Sequence, residues 1–214
     1  MTPILRKALR LCLFVILCLS AAYGARAAEV GDRISLGHYP EEEIEWRVLA
    51  VEEDRILIIS DKILDAQPYN GEQTDTTWET STLRDWLNHV FIEDAFTPEE
   101  RKLICSTLVV NGGNPEYDTF GGTDTDDFIF LLSIEEAADY FESDDERGAE
   151  PTEYARERGV FMWEENGMGW WWLRSPGDSV LNAAFVIDFG QIMSEGDFVN
   201  HSLYGVRPAL WLIF

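Results

Sequence analysis

Two apolar runs near the carboxy terminus constrain this chain most. Trp170-Trp171-Trp172-Leu173-Arg174-Ser175-Pro176-Gly177 and Gly205-Val206-Arg207-Pro208-Ala209-Leu210-Trp211-Leu212 each carry one arginine and lie near Gly or Pro. Side chains alternate along a strand, so Trp170, Trp172 and Arg174 share one face and Trp171 and Leu173 the other. At least one of those faces has to be core. In the second run Arg207, Ala209, Trp211 and Ile213 oppose Val206, Pro208, Leu210 and Leu212. An arginine inside such a strand needs acceptors for its N–H groups, and this chain is rich in carboxylates. The leading expectation makes Arg174 and Arg207 internal clamps. Ligand binding through Trp171, Arg174 and Arg207 is the competing one.

The amino terminus reads as a leader. Arg6, Lys7 and Arg10 precede an apolar run from Leu11 to Ala22, and Ala25-Arg26-Ala27 has the small-x-small form of a cleavage site. The run is shorter than the ~20 residues of a comfortable membrane span. The expectation is a secretory signal peptide over 1–27 and one domain over 28–214, with no stable membrane span after cleavage. The destination would be the periplasm, the cell envelope or the medium. Forty acidic against 16 basic residues give a net charge of −24, which argues against a nucleic-acid or anionic-membrane partner. Cys12 and Cys18 fall in the leader, which leaves Cys105 without an intrachain partner. Stability must then come from the core, for which eight tryptophans are ample material.

Between these ends the pattern alternates. Residues 32–37, 45–51 and 55–60 read as a meander or hairpin, with Trp46, Val48 and Ala50 on one face. A helix follows Thr80 or Ser81, with Leu83, Trp86, Leu87 and Val90 at i, i+3, i+4 and i+7 as its buried stripe. Arg84, Asp85 and Asn88 on that helix would tie it to loops. Thr97-Pro98-Glu99-Glu100 and Ser133-Ile134-Glu135-Glu136 are capping boxes, the second opening a helix through Phe141. Residues 105–110 read as a strand containing Cys105, 111–127 as a loop, and 128–132 as a buried strand. Residues 151–158 read as a helix stopped by Gly159. Phe185, Ile187 and Phe189 would form one strand face, with Gly190 and Gly196 flanking a hairpin. Strands, then helices, then strands indicate an α+β fold.

Five segments, in order, resemble a bacterial family catalogued as domain-of-unknown-function family 6273. They are Ile44-Glu45-Trp46-Arg47-Val48-Leu49, Trp78-Glu79-Thr80-Ser81-Thr82-Leu83-Arg84-Asp85-Trp86-Leu87-Asn88, Phe130-Leu131-Leu132-Ser133, Trp171-Trp172-Leu173-Arg174-Ser175-Pro176-Gly177 and Gly205-Val206-Arg207-Pro208-Ala209-Leu210. That family looks like a branch of the C-type-lectin-like fold, near the formylglycine-generating-enzyme type. The resemblance implies a small, mostly antiparallel sheet in which the two ends of the domain meet, and a few short helices. It implies no established activity, because fold does not fix function. Formylglycine-generating enzymes hold copper with a pair of active-site cysteines. Cys105 alone cannot supply such a pair, so that chemistry is not expected.

The first ligand candidate is the loop carrying Asp118, Asp124, Asp126 and Asp127. Calcium takes six to eight oxygen ligands, and a flexible Gly-containing loop with four carboxylates offers several. The spacing lacks the EF-hand's glycine and glutamate and the C-type-lectin Glu-Pro-Asn type triplet. One aspartate capping a turn, with the rest solvated, is the simpler expectation and outweighs it. Calcium is thus the one cofactor entertained. His38, His89 and His201 match no zinc spacing, and Ser175 has no neighbouring base in sequence. The leading expectation is a non-enzymatic exported binding domain whose loops 111–127 and 190–204 meet a small-molecule, glycan or protein ligand. The competing ones are a divergent enzyme of the formylglycine-generating group without the copper pair, and a structural envelope protein.

Overall fold

The computed structural model describes residues 28–213; the leader expected at 1–27 lies outside them. The first three strands, β1 (Arg33–His38), β2 (Glu43–Val51) and β3 (Arg55–Ser60), form an antiparallel meander. Alternation buries Ile34 and Leu36 on β1 and Ile44, Trp46 and Val48 on β2. The register then shifts between Val48 and Ala50. A bulge of this kind re-aims the side chains that follow, so Leu49 is buried and Ala50 only half-buried.

The remaining strands are β4 (Asp65–Ala66), β5 (Thr107–Val109), β6 (Thr125–Asp127), β7 (Trp171–Pro176), β8 (Asn182–Val186), β9 (Ile192–Phe198), β10 (Gly205–Val206) and β11 (Ala209–Ile213). They build a four-stranded sheet β1-β2-β3-β11, a five-stranded sheet β4-β10-β7-β8-β9 and a two-stranded ribbon β5-β6. Every pairing is antiparallel except that of β10 with β7. With a few short helices between them, the fold is α+β. The first three strands and the last share one sheet, but the structure has two principal sheets, not one.

The run expected as one last strand is in fact two. Gly205 and Val206 belong to the five-stranded sheet, and Ala209 onward to the four-stranded one. The crossing falls at Arg207-Pro208. Proline has no N–H for a ladder, so a strand breaks there at little cost.

Other elements differ in instructive ways. The helix Thr82–Trp86 has Ser81 as its N-cap and runs into a π-helical turn, Leu87–Phe91, in which the Ile92 N–H reaches the Leu87 carbonyl. The wider turn rotates Val90 out to solvent and brings Phe91 in, so the buried stripe is Leu83, Leu87 and Phe91. Residues 128–132 are not a strand: only Phe130 bridges, to Ala209, and Phe128 is exposed. Cys105 precedes β5 and is half-buried, its N–H bonded to the Trp211 carbonyl. β8 ends at Val186, the chain turns through Gly190, and Phe189 is exposed. Gly196 lies inside β9, not beside it. Both capping boxes form: Thr97 and Glu100 bond reciprocally ahead of a 3-10 turn, and Ser133 and Glu136 open the helix Ile134–Asp139. The helix Glu153–Glu157 is capped by Thr152 and precedes Gly159 at φ +95°.

Candidate binding surface

Four of the candidate site residues lie inside the protein: Asp127, Trp171, Arg174 and Arg207 are 1%, 0%, 4% and 1% exposed. Arg207 sits at the corner where the chain changes sheets. Its Nε donates to the Ser60 carbonyl at 2.9 Å and its Nη1 to the Arg147 carbonyl at 2.9 Å. The guanidinium lies 5.1 Å from the Trp171 ring and 5.4 Å from that of Phe141. It thereby fastens the end of β3, the helix Asp144–Arg147 and β7 to one another. Burial pulls this guanidinium down to about 9, with the Asp61 carboxylate opposing that shift.

Arg174 has a different set of partners. Its Nη1 donates to the Leu131 carbonyl at 2.8 Å, its Nη2 to the Val110 carbonyl at 3.1 Å, and both nitrogens meet the Glu136 carboxylate. Glu136 is thus bonded twice over, closing its capping box and receiving Arg174. The Val110 contact fixes the end of β5. Trp170 and Trp172 also serve packing: Trp172 stacks on Tyr204 with ring centroids 4.0 Å apart, and Trp170 lies against Phe161, Phe185 and Tyr204.

The expected polar loop proves to be the connection of a hairpin, residues 107–127, whose strands are β5 and β6. Buried groups secure it at several points. At its far end Asp127 is fully engaged: Trp78 Nε1 and the Thr125 hydroxyl donate to Oδ2 at 2.8 and 2.7 Å, and Arg84 Nε donates to Oδ1 at 2.6 Å. Asn88 adds bonds to the backbone of Phe128 and Ile129. In the middle, the buried Asn111 amide donates to the Thr123 carbonyl, and the Asn111 N–H meets Asp124 Oδ1 at 2.9 Å. Asn114, also buried, donates to the carbonyls of Pro176, Gly177 and Ser194, while its Oδ1 accepts from the N–H groups of Glu116 and Tyr117. The Ser194 hydroxyl donates to Glu116. Of the two segments expected as ligand loops, 190–204 contains the strand β9, and residues 114–117 of the other lie against it.

The outer side of this hairpin is exposed. Leu108 and Val110 are each 61% exposed, Phe120 is 67% and Tyr117 43%. Asp118 is exposed with its backbone at φ +56°, a conformation aspartate tolerates better than most residues. Asp124 and Asp126 face outward as well, whereas Asp127 faces inward. Among the described residues, no three His, Cys, Asp or Glu side chains gather as a metal-binding group. The Tyr117 phenol is held above its ordinary value by desolvation, then by the Glu116, Glu195 and Asp178 carboxylates nearby.

One cluster was not legible from sequence. Asp197 Oδ2 accepts from the Tyr204 hydroxyl at 2.6 Å and lies 2.9 Å from His201 Nδ1. Burial raises the Asp197 carboxyl, but bonds from Tyr204, the Phe198 N–H and His201 outweigh it, so the group lies below its ordinary value. The spacing i, i+4 and i+7 suggests a helix, yet these residues span the end of β9 and a turn, so periodicity gave no signal. An open depression of about 380 Å³ lies between the helices Ile134–Asp139 and Asp144–Arg147 and the start of β9, lined by Ala138, Asp144, Arg147, Gln191, Ile192 and Met193. Arg147 does not reach into it freely: its guanidinium is bonded to the Gly190 carbonyl and Asp144. Among the described residues, no helix is long and apolar enough to cross a membrane.

A family model described as a domain of unknown function (DUF6273) matches residues 53–213. No curated protein and no solved structure matches the chain.

Proposed function

We propose that this chain, which belongs to the DUF6273 family, is an exported, non-enzymatic binding domain that presents the β5–β6 hairpin to its ligand. One observation carries the reading. Buried Arg174, Asn114 and Asp127 hold the hairpin from beneath, while Leu108, Val110, Tyr117 and Phe120 stay exposed above. A loop held in place before binding loses little conformational freedom on contact, and a rigid scaffold is where binding loops are best placed. Arg174 and Arg207 are bonded inside the protein and do not face a ligand. Export rests on the leader pattern of residues 1–27. A C-type-lectin-like arrangement remains the fold-level expectation, supported by the sheet that the first and last strands share.

The test is a screen of glycans and peptides against the purified chain and its Tyr117→Ser/Phe120→Ser variant. A ligand held by the chain and weakened by about tenfold or more in the variant, with unchanged circular dichroism, is the expected result. Ligands that bind both proteins equally would remove the hairpin from the reading. Turnover of a bound ligand would replace a binding domain with an enzyme.

A further inference from the structure

The β5–β6 ribbon has a pattern on its outer face that points to a partner's chemistry. Its register pairs Thr107 with Asp127, Leu108 with Asp126 and Val109 with Thr125. Alternation turns Val109, Thr125 and Asp127 inward, where they are buried. It turns Leu108 outward on β5 and Asp126 outward on β6, and Val110 and Asp124, one residue beyond the strands, are exposed beside them. Phe128, with an exposed ring, adds apolar surface at the end of the second strand. The face is therefore an apolar column beside an acidic one. Scattered exposed apolar residues need no explanation, but large ones collected on one sheet face do.

We infer that this face docks a cationic amphipathic segment of a partner protein, one that sets apolar side chains between lysines or arginines. The inference rests on the binding reading above. A second copy of this chain is a poor occupant, since it would bring its own acidic column and a net charge of −24 against the same charge. A purely apolar partner would take the Asp124 and Asp126 carboxylates out of water without a compensating charge. A segment in which positive and apolar side chains alternate meets both columns, because the outward residues of a strand recur at every second position.

The probe is a short peptide of alternating leucine and lysine, titrated calorimetrically into the purified chain. Alternating leucine–glutamate and serine–lysine peptides are the comparators. The leucine–lysine peptide is expected to bind, and both comparators to bind at least about tenfold more weakly. Leu108→Ser/Val110→Ser should weaken binding about tenfold. Asp124→Asn/Asp126→Asn should weaken it about threefold, and more at low salt. All four side chains are exposed, so unchanged thermal unfolding shows that the variants are folded. Equal binding of the serine–lysine peptide, indifference to both variants, or no binding at all overturns the inference. If the leucine–lysine peptide fails while a glycan or other ligand remains sensitive to Tyr117→Ser/Phe120→Ser, the partner chemistry falls and the hairpin reading stands.

Discussion

Arg174 commits its guanidinium to three groups on two stretches of chain: the Leu131 carbonyl and the Glu136 carboxylate on one, the Val110 carbonyl on the other. Its own carbonyl accepts from the buried Tyr69 hydroxyl at 2.8 Å. Replacing it with alanine leaves the buried Leu131 carbonyl, the Val110 carbonyl and the partly exposed Glu136 carboxylate short of a donor. Arg174→Ala is expected to cost about 2–4 kcal/mol, read as a lower urea midpoint at unchanged slope. A side chain that merely faced a ligand would cost less than about 0.5 kcal/mol, so a small loss would return Arg174 to the list of binding residues. That an arginine among tryptophans favours internal bonds over a ligand was legible in sequence, because the alternatives for a charge in a strand core are few. Which carbonyls it meets was not, since Val110 and Leu131 reach it from far along the chain.

Strands in this protein end or bend where glycine and proline allow it. β9 skips register opposite Ala183 and Phe185, and Gly196 sits in that skip at φ +72°. A Cβ there would lie 2.5 Å from the Ala183 carbonyl oxygen and 2.9 Å from the Gly177 Cα. Gly159 also has positive φ, but a Cβ there meets nothing within 4 Å. Gly196→Ala should therefore combine backbone strain with collision and cost about 2–4 kcal/mol, against about 1–2 kcal/mol for Gly159→Ala. Thermal unfolding of the two variants ranks them, and equal losses would mean that the close approach to β8 carries no weight. The same contrast explains what local signals reveal. Gly159 ends a helix, which is a local event, and it was legible. Gly196 answers to a neighbouring strand, and the sequence near it marks only a turn. The π-helical turn is alike: i, i+3, i+4, i+7 spacing selects Val90, and only the observed widening selects Phe91.

The whole chain carries 40 acidic and 16 basic residues, and so much charge of one sign repels itself in the compact state. Exposed pairs such as Arg55–Glu52 and Lys102–Glu99 oppose this only weakly. Raising ionic strength from about 0.01 to 0.1 M shortens the screening length from about 30 to 10 Å. The unfolding temperature should rise over that interval; a fall would mean that the ion pairs outweigh the repulsion. Composition thus fixes the electrostatic character of the molecule without any knowledge of its fold. The two capping boxes and the leading expectation of interior Arg174 and Arg207 were equally within reach, because each follows from residues a few positions apart, and the α+β class followed from the order of such local patterns. Tertiary structure alone decided the rest. It split the last run between two sheets, turned Asp127 inward and Asp124 and Asp126 outward, and seated residues 114–117 against β9. Those outcomes depend on strand register and on partners such as Arg207 with Ser60, 147 residues apart. Local periodicity cannot encode a contact at that separation.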